Sequence, residues 1–442
     1  MMKTTPPMNT PDNKKILIIR RLILAAVLST IFLTLLILCK RWFNPDRGTT
    51  DSPETTLSLD TVLTKAEAEH DLDYLYDKLS TRHPAWLDPA DENHKNAEKL
   101  YRGERSALGD KVTVLELWRA ASRILAVLND GHTMVRPIGR YKVAEDPQAL
   151  DSGAIVAVNG ESAETVFARF CEMNSSETSA TDRATFQDAV LREDYLMLLG
   201  FDVSEGVTYE FQDESGKHFF RHYHFVDSEK AVTKSDPGSE ESLVFNVDKE
   251  RGIGFFDLNY CDYNDEYVQK TDAFFNEVLN AGCGCVIVDL RDNPGGNSYV
   301  VNEFLRHIDT DAYLSPGVQV RYGPFLIEHK AETIENQRYD TVFDGQIYVL
   351  TNASTFSAAM DFAMYIQDNG LGTIVGEASG NMPDSYGDTL TFSLPESKLC
   401  LTVSYKKWKR IDESKTGQLI TPDIPCDPEE AYEVASNCFL TQ

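Results

Sequence analysis

Apolar and polar positions along this chain repeat with different periods, and the change of period divides it into segments. Residues 60 to 128 place apolar residues three and four positions apart, which is the period of an amphipathic helix. The two main runs end at helix breakers, the dipeptide HP in the first and the tripeptide NDG in the second. The pattern predicts a helical N-terminal domain over residues 59–137.

A second segment, residues 138–250, is predicted to be rich in β-structure. The stretch GAIVAVNGESAETVFARF indicates a strand, an Asn-Gly turn and a helix. It is similar to the end of a PDZ-like module, and we expect a short PDZ-like remnant there. Strands separated by charged turns follow from residue 206, and three histidines between 218 and 224 are interpreted as surface or packing residues.

From residue 251 strands alternate with helices, and the alternation continues to about residue 430. Runs such as CVIVDL and QIYVL are continuously apolar, as expected of strands that are buried on both faces. Strands joined through helices need crossover connections, so the fold class is α/β with a mostly parallel sheet. Residues 431–442 are expected to form a C-terminal tail.

One segment near the N-terminus is apolar without interruption. Residues 23–39 contain no charge and have basic residues on both sides, and 17 apolar residues is close to the lower limit for a membrane-spanning helix. A cleaved signal peptide is the competing interpretation, but no small-x-small cleavage site follows. We therefore expect a signal anchor with residues 1–22 in the cytoplasm, a polar tether over 40–58, and everything beyond outside the cytoplasm.

Charge and cysteine content exclude some classes of partner. The chain has 442 residues and a formal net charge of -28, while residues 1–47 carry 8 Lys/Arg against 2 Asp/Glu. The rest of the chain is therefore strongly acidic and repels nucleic acid. Seven of eight cysteines lie beyond the apolar segment, and we interpret most of them as buried free thiols rather than a disulfide framework.

Three short stretches combine polar and glycine residues at the ends of predicted elements. They are LNDGHTMV with His132, VDLRDNPGGNS with Gly295 and Gly296, and TNASTFSAAM with Ser357. Loops that follow parallel strands line the ligand crevice of an α/β sheet, so the second and third stretches are expected to converge.

Ser357 at a helix start would attack a carbonyl, with the amides of Ala358 and of the glycine loop holding the oxyanion and His132 accepting the proton. The structural alternative for each stretch also stands: Ser357 or Ser354 as a helix N-cap, the glycines as a turn, and His132 as a capping residue. Both interpretations are open at this point.

The ordered set GHT, VIVDLRDNPGG, TFSAA, IVGE and ITPDI resembles peptidase family S41, which includes C-terminal processing proteases and the tricorn core. The resemblance implies a crotonase- or ClpP-like ββα spiral core over residues 251–430 and hydrolysis of peptides or unfolded protein tails. It also implies that Ser357 is the nucleophile, His132 the base, and Gly295 or Gly296 an oxyanion donor.

Two departures from the family pattern matter. No Lys or Arg lies between Ser357 and Lys398, which excludes the Ser-Lys dyad of the processing branch. Gly131 stands where a serine precedes the histidine in tricorn, and the resemblance implies an acid in RIDESKTGQLITPDI. We take Glu413 as that acid, with Asp412 as the alternative, and interpret Asp130 as a turn residue.

The function predicted from the sequence is a membrane-anchored, extracytoplasmic serine endopeptidase. Its partners are a peptide or protein substrate and the membrane, with no metal, no organic cofactor and no nucleic acid, and no oligomeric state is predicted. The alternative is a non-catalytic binding protein on the same scaffold, because a fold does not fix a function.

Overall fold

A computed structural model of the protein describes residues 11–145, 154–213, 215–228 and 241–441. The first ten residues, where the predicted cytoplasmic tail begins, lie outside this described part. A long helix comes first, and a window of it over Ile18–Leu35 is apolar and long enough to cross a membrane and is not covered by the rest of the protein.

The region after this helix is mainly helical. Its elements are α1 (Pro11–Trp42), β1 (Val62–Thr64), α2 (Lys65–Arg82), α3 (Asn93–Ala107), β2 (Lys111–Thr113), α4 (Val114–Ala126) and β3 (Met134–Arg136). Capping boxes start α2 and α4, because Thr64 and Thr113 each exchange hydrogen bonds with a glutamate three residues later. Helix α2 ends just before the HP dipeptide and α4 three residues before the NDG turn.

Residues 43–58 are not the free tether that the sequence suggests. The Thr50 amide donates to the Thr391 carbonyl at 2.9 Å, that of Thr56 to Ile138 at 2.9 Å, and that of Leu57 to Ser397 at 3.0 Å. Backbone groups that find partners in the folded body are fixed to it, so this segment holds the end of α1 close to the rest of the protein.

The middle region forms a small unit with its own core. Its elements are β4 (Lys142–Ala144), β5 (Ala154–Val158), β6 (Glu161–Ser162), α5 (Ala163–Cys171), α6 (Ser179–Ala189), α7 (Glu193–Leu198), β7 (Val207–Gln212), β8 (His218–Tyr223) and β9 (Phe225–Asp227). One antiparallel sheet has the order β6-β5-β7-β8, and a separate pair joins β4 to β9. The unit is therefore larger than the short stretch around the Asn-Gly turn, because β7 and β8 complete its sheet.

The C-terminal region contains the largest sheet. Its elements are β10 (Leu243–Asp248), β11 (Ile253–Leu258), α8 (Asp265–Ala281), β12 (Cys285–Asp289), α9 (Tyr299–Leu305), β13 (Ala312–Leu314), β14 (Gly317–Tyr322), β15 (Phe325–His329), β16 (Thr333–Glu335), β17 (Gln346–Thr351), α10 (Ala358–Asp368), β18 (Thr373–Gly376), β19 (Tyr386–Ser393), β20 (Cys400–Lys409), β21 (Ile424–Pro425) and α11 (Ala431–Leu440). Six strands form the order β10-β11-β12-β17-β18-β21. All neighbours except β10 and β11 are parallel.

Helices cover both faces of this sheet, which explains its continuously apolar strands. Helices α8, α9 and α10 pack on one face through Phe274, Phe304 and Phe362, and α11 covers the other face. Each fully buried phenylalanine contributes about 2–3 kcal/mol of hydrophobic stabilisation. The predicted mixed α/β architecture with a mostly parallel sheet is confirmed.

A second antiparallel sheet joins the N-terminal region to the C-terminal one. Its order is β15-β14-β20-β19, and β3 pairs with β20 so that Val135 lies opposite Leu401. Apolar residues of α2 and α4 pack against β19 and β20 in a shared core. This pairing carries the NDGHT turn, which immediately precedes β3, across to the C-terminal region.

The seven cysteines beyond α1 are free thiols, and four of them are buried. Burial raises the pKa of the Cys261 and Cys285 thiols, which keeps them protonated and unreactive.

Candidate active site

Ser357 occupies a strained backbone position between β17 and α10. Its φ of 53° and ψ of -123° are adopted rarely by residues with a side chain, at a cost of about 1–3 kcal/mol. Two asparagines hold this turn: the Asn381 Oδ1 accepts from the Ser357 amide at 2.7 Å, and the Asn293 carbonyl accepts from the Phe356 amide at 3.0 Å. The Ser357 hydroxyl makes no capping bond to α10, so the N-cap interpretation does not account for it.

The Ser357 hydroxyl contacts His132 instead. The distance between Ser357 Oγ and His132 Nε2 is 3.0 Å, within hydrogen-bond range, across 225 positions of sequence. The imidazole packs against the Phe356 ring at 4.8 Å between centroids. A Cβ at Gly131 would lie 2.9 Å from Cζ of that ring, so a larger residue before His132 would have to displace the Phe356 ring.

A buried carboxylate lies on the other side of the imidazole. Asp130 Oδ1 accepts from the His132 backbone amide at 2.9 Å and is 3.7 Å from His132 Nδ1. Asp130 Oδ2 is 3.1 Å from His83 Nε2, and both side chains of that pair are fully buried. Because His83 Nδ1 accepts from the Ala85 amide, its Nε2 carries the hydrogen and donates to Asp130.

Burial alone raises the pKa of Asp130, but the hydrogen bonds and charges of His132 and His83 outweigh it and hold that pKa well below its usual value. Burial by itself lowers the pKa of His132. The hydrogen bond and charge of the Asp130 carboxylate raise it by more, and the charges of Glu177 and Asp361 add to this effect, so the pKa of His132 is raised above its usual value. Asp130 is therefore an ionised partner of His132, which corrects its interpretation as a turn residue.

A third acidic side chain, Glu177, faces the same space. Burial first and the charge of Asp130 second raise the pKa of Glu177 to about 8. One of its oxygens accepts from the Met382 amide at 2.7 Å, while the buried Oε1 and His132 Nδ1 make no hydrogen bond within the described residues. Ligand atoms of Asp130, His132 and Glu177 lie within 4.8 Å of one another, a spacing that a divalent cation could bridge.

The structure does not bring Glu413 to His132. Glu413 begins an exposed 3-10 turn, and Asp412 caps that turn by accepting from Ser414. The acidic groups that influence His132 are Asp130, Glu177 and Asp361. The acidic side chain that lies beside His132 is thus Asp130, two positions before the histidine, and not Glu413.

The glycine loop and the start of α10 are in direct contact. A Cβ at Gly295 would lie 2.7 Å from Ser357 Cβ and 2.9 Å from the Ala358 amide nitrogen, so only glycine fits. Gly295 does not supply a free amide, because its N–H donates to Asn293 Oδ1 at 2.8 Å.

The residues on either side of Gly296 pair with Cys261: the Cys261 amide donates to the Gly295 carbonyl at 2.9 Å, and the Asn297 amide donates to the Cys261 carbonyl at 2.7 Å. In this parallel bridge the N–H of Gly296 itself points away from Cys261. The amides of Gly296 and Ala358 have no acceptor in the described part of the chain.

Sequence reasoning missed Asp130, His83 and Asn381. Asp130 could have been found from the sequence, because an Asp two residues before a candidate histidine can accept a hydrogen bond from the backbone amide of that histidine. His83 and Asn381 lie 49 and 249 positions from His132, and nothing local marks them.

Comparisons with known proteins agree with this geometry. The sequence model of peptidase family S41 matches residues 253–426, which include Ser357 and the glycine loop but not His132. The solved structure of mature CPAF is similar with a TM-score of 0.61 and 13% identity, over 85% of this chain and 96% of that one. Mature CPAF complexed with lactacystin is similar with a TM-score of 0.60 and 12% identity, over 85% and 97%. The fold of most of the chain is thus that of an S41-like protease, and residues 253–426 belong to peptidase family S41.

Proposed function

We propose that this protein is a membrane-anchored serine endopeptidase that hydrolyses peptides or unfolded protein tails outside the cytoplasm. The observation that supports it most is the 3.0 Å contact between Ser357 Oγ and His132 Nε2 at a strained turn. Strain of this kind persists only where the surroundings impose it, and it is concentrated at functional sites. A binding protein on the same scaffold has no use for a serine held in this way.

The chemistry follows from the positions of the atoms. Ser357 Oγ attacks the substrate carbonyl carbon while His132 Nε2 takes the hydroxyl proton. The carbonyl oxygen becomes negative beside the Gly296 and Ala358 amides, which stabilise it together with the positive end of α10. His132 then gives its proton to the leaving amine, and a water molecule, activated by the same imidazole, releases the acyl group from Ser357.

Asp130 supports His132 in this cycle. The 3.7 Å separation between Asp130 Oδ1 and His132 Nδ1 exceeds a hydrogen bond, and substrate-free sites often tighten when substrate binds. His83 donates to the other oxygen of Asp130, which leaves Oδ1 directed at His132. Asp130 thus fixes the orientation of the imidazole and stabilises its protonated form.

The remaining expectations extend this proposal. We assign α1 as an uncleaved signal anchor, since its apolar stretch is solvent-exposed and flanked by Arg20 and Arg21. The six-stranded sheet with α8, α9 and α10 is the part that would correspond to a ββα spiral. The sheet β6-β5-β7-β8 with α5 would be the PDZ-like piece.

Labelling with a fluorophosphonate probe tests the nucleophile. We expect the purified protein to be labelled at Ser357 and the Ser357→Ala variant to remain unlabelled with an unchanged circular dichroism spectrum. Ser354→Ala is the matched control, because Ser354 lies three residues earlier and its amide is held by Asn352 Oδ1 at 3.0 Å. Labelling that persists in Ser357→Ala would contradict the assignment of Ser357 as the nucleophile. Absence of label from the unmodified protein would favour the non-catalytic binding protein.

A further inference from the structure

Asp361 lies one turn beyond Ser357 on α10. Its amide donates to the Ser357 carbonyl at 2.9 Å, so the two residues are one helical turn apart, about 6 Å along the axis. Asp361 is partly exposed, whereas Ala358, Ala359 and Met360 before it are buried. Its carboxyl group lies near the candidate site, because its charge helps to raise the pKa of His132 and because it accepts from Ser298, just after the glycine loop.

No cation of the described residues neutralises this carboxyl group. Its Oδ2 accepts from the Ser298 hydroxyl at 3.2 Å, and Ser298 follows the glycine loop by two residues. The charged groups that influence it are Asp388 and His132, and Asp388 is itself paired with Lys406 at 3.2 Å. Burial, and then the charge of Asp388, raise the pKa of Asp361 to about 7.

We propose that Asp361 determines substrate specificity by binding a lysine or arginine side chain at P1, the residue whose carbonyl Ser357 attacks. This inference rests on the proposed peptidase function and names its substrate class. The P1 side chain leaves the substrate backbone at the Ser357 hydroxyl, and the stem of a lysine is long enough to span one helical turn.

A partly buried carboxylate without a cationic partner is unfavourable until a cation reaches it. A P1 lysine or arginine supplies that charge and forms a charge-assisted hydrogen bond to the free Oδ1, while Ser298 keeps Oδ2 in place. An apolar P1 side chain leaves the carboxyl group desolvated and unpaired. The net charge of -28 also attracts basic peptides to the protein.

Two other roles for Asp361 make different predictions. If the carboxyl group only positioned Ser298, an amide would serve as well, and Asp361→Asn would change nothing. If it acted only by raising the pKa of His132, its loss would alter turnover of every substrate by the same factor. Only a P1 contact changes the ratio between substrates.

The test compares peptides that differ only at P1, with lysine, arginine or norleucine there. We expect a lysine-to-norleucine ratio of kcat/KM of at least about 10, since hydrogen bonds to charged groups contribute about 1.5–3 kcal/mol. Asp361→Asn should bring that ratio to about 1. Asp388→Asn is the matched control, an acidic group already paired with Lys406. It should retain the preference or strengthen it, because the charge of Asp388 raises the pKa of Asp361.

The pH dependence of the same ratio gives a second readout. The ratio should rise with pH as Asp361 loses its proton near pH 7, whereas protonation of His132 affects both substrates alike and cancels. In Asp361→Asn the ratio should not change with pH. A ratio that stays flat in the unmodified protein contradicts the P1 role.

Binding of p-aminobenzamidine, a small aromatic cation, separates this inference from the peptidase proposal because it needs no turnover. We expect its fluorescence to rise on binding to Ser357→Ala and not to the double variant that also carries Asp361→Asn. Absence of binding to Ser357→Ala, or equal binding to both, overturns the specificity proposal even if the fluorophosphonate labels Ser357. Failure of that label overturns the peptidase function itself.

Discussion

His132 contacts a hydroxyl through one ring nitrogen and faces a buried carboxylate through the other. The sequence predicts that Ser357 and His132 act as nucleophile and base, and in the structure Ser357 Oγ lies 3.0 Å from His132 Nε2. Glu413 was assigned from its place before PDI, but it lies in an exposed turn. The sequence Asn-Asp-Gly is typical of a turn and predicts a turn role for Asp130, whose carboxylate does accept from the His132 amide as in such turns. Its burial beside His83 is what suits Asp130 to support His132 as well.

Asp130→Asn should lower kcat by about 100- to 10,000-fold, because the amide neither stabilises the protonated imidazole nor accepts from its Nδ1–H in the same way. Peptide hydrolysis by the purified variant measures the loss. Glu413→Gln is the matched control and should keep nearly full activity. The reverse result would restore Glu413 as the acid.

The pH profile follows from the raised pKa of His132. The base must be neutral, and a raised pKa keeps it protonated to a higher pH, so the acidic limb of kcat/KM should lie above pH 6.5, the ordinary value. Asp130→Asn removes the main cause of the increase and should move the limb to lower pH. A limb that Asp130→Asn leaves unmoved would show that another group sets the pKa.

The turn between β17 and α10 holds Ser357 in a strained backbone conformation. Strand β17 ends at Thr351, and β12 beside it ends at Asp289, so the two following loops meet at one edge of the sheet. This convergence followed from the alternating strands and helices in the sequence. The conformation of Ser357 did not, because φ near 53° depends on Asn293 and Asn381, which hold the turn from other segments.

Ser357→Gly should unfold at a higher urea concentration than Ser357→Ala. Glycine adopts a positive φ without the penalty of about 1–3 kcal/mol, and the extra entropy of its unfolded state offsets only about 0.4–1 kcal/mol of that gain. Both variants lack the hydroxyl, so the comparison isolates backbone strain. Equal midpoints would mean that the strain is no larger than this entropic cost of about 0.4–1 kcal/mol.

The N-terminal segment is attached to the folded body along its length. Backbone bonds to Ile138, Thr391 and Ser397 join residues 43–58 to both the second sheet and the loop after β3. If α1 spans a membrane, the folded body is held close to that membrane rather than at the end of a free tether. The polar composition of residues 43–58 predicts a solvent-exposed segment. Its backbone hydrogen bonds to the folded body could not be predicted, because such bonds leave no periodic pattern of side chains in a sequence.

A chain that begins at residue 43 should unfold at a higher temperature than one that begins at residue 59. The shorter chain loses four backbone hydrogen bonds to the rest of the protein, three donated by residues 50, 56 and 57 and one that Ser58 accepts from Thr61. Each is worth about 0.5–1.5 kcal/mol, and each kcal/mol lost lowers Tm by about 2–4 °C. Scanning calorimetry of the two chains measures the difference. Identical melting temperatures would restore the tether interpretation.

The sequence by itself determined the elements and their class, since periods of apolar residues, capping boxes and breakers are local and α/β alternation restricts the topology. It also determined the family, because the motifs of residues 253–426 are contiguous stretches. The tertiary structure alone decided which acid faces His132, which amides remain free, and what surrounds Asp361. Those outcomes depend on β3 pairing with β20 and on two loops meeting at one sheet edge, and contacts between distant segments are set by packing and not by local pattern.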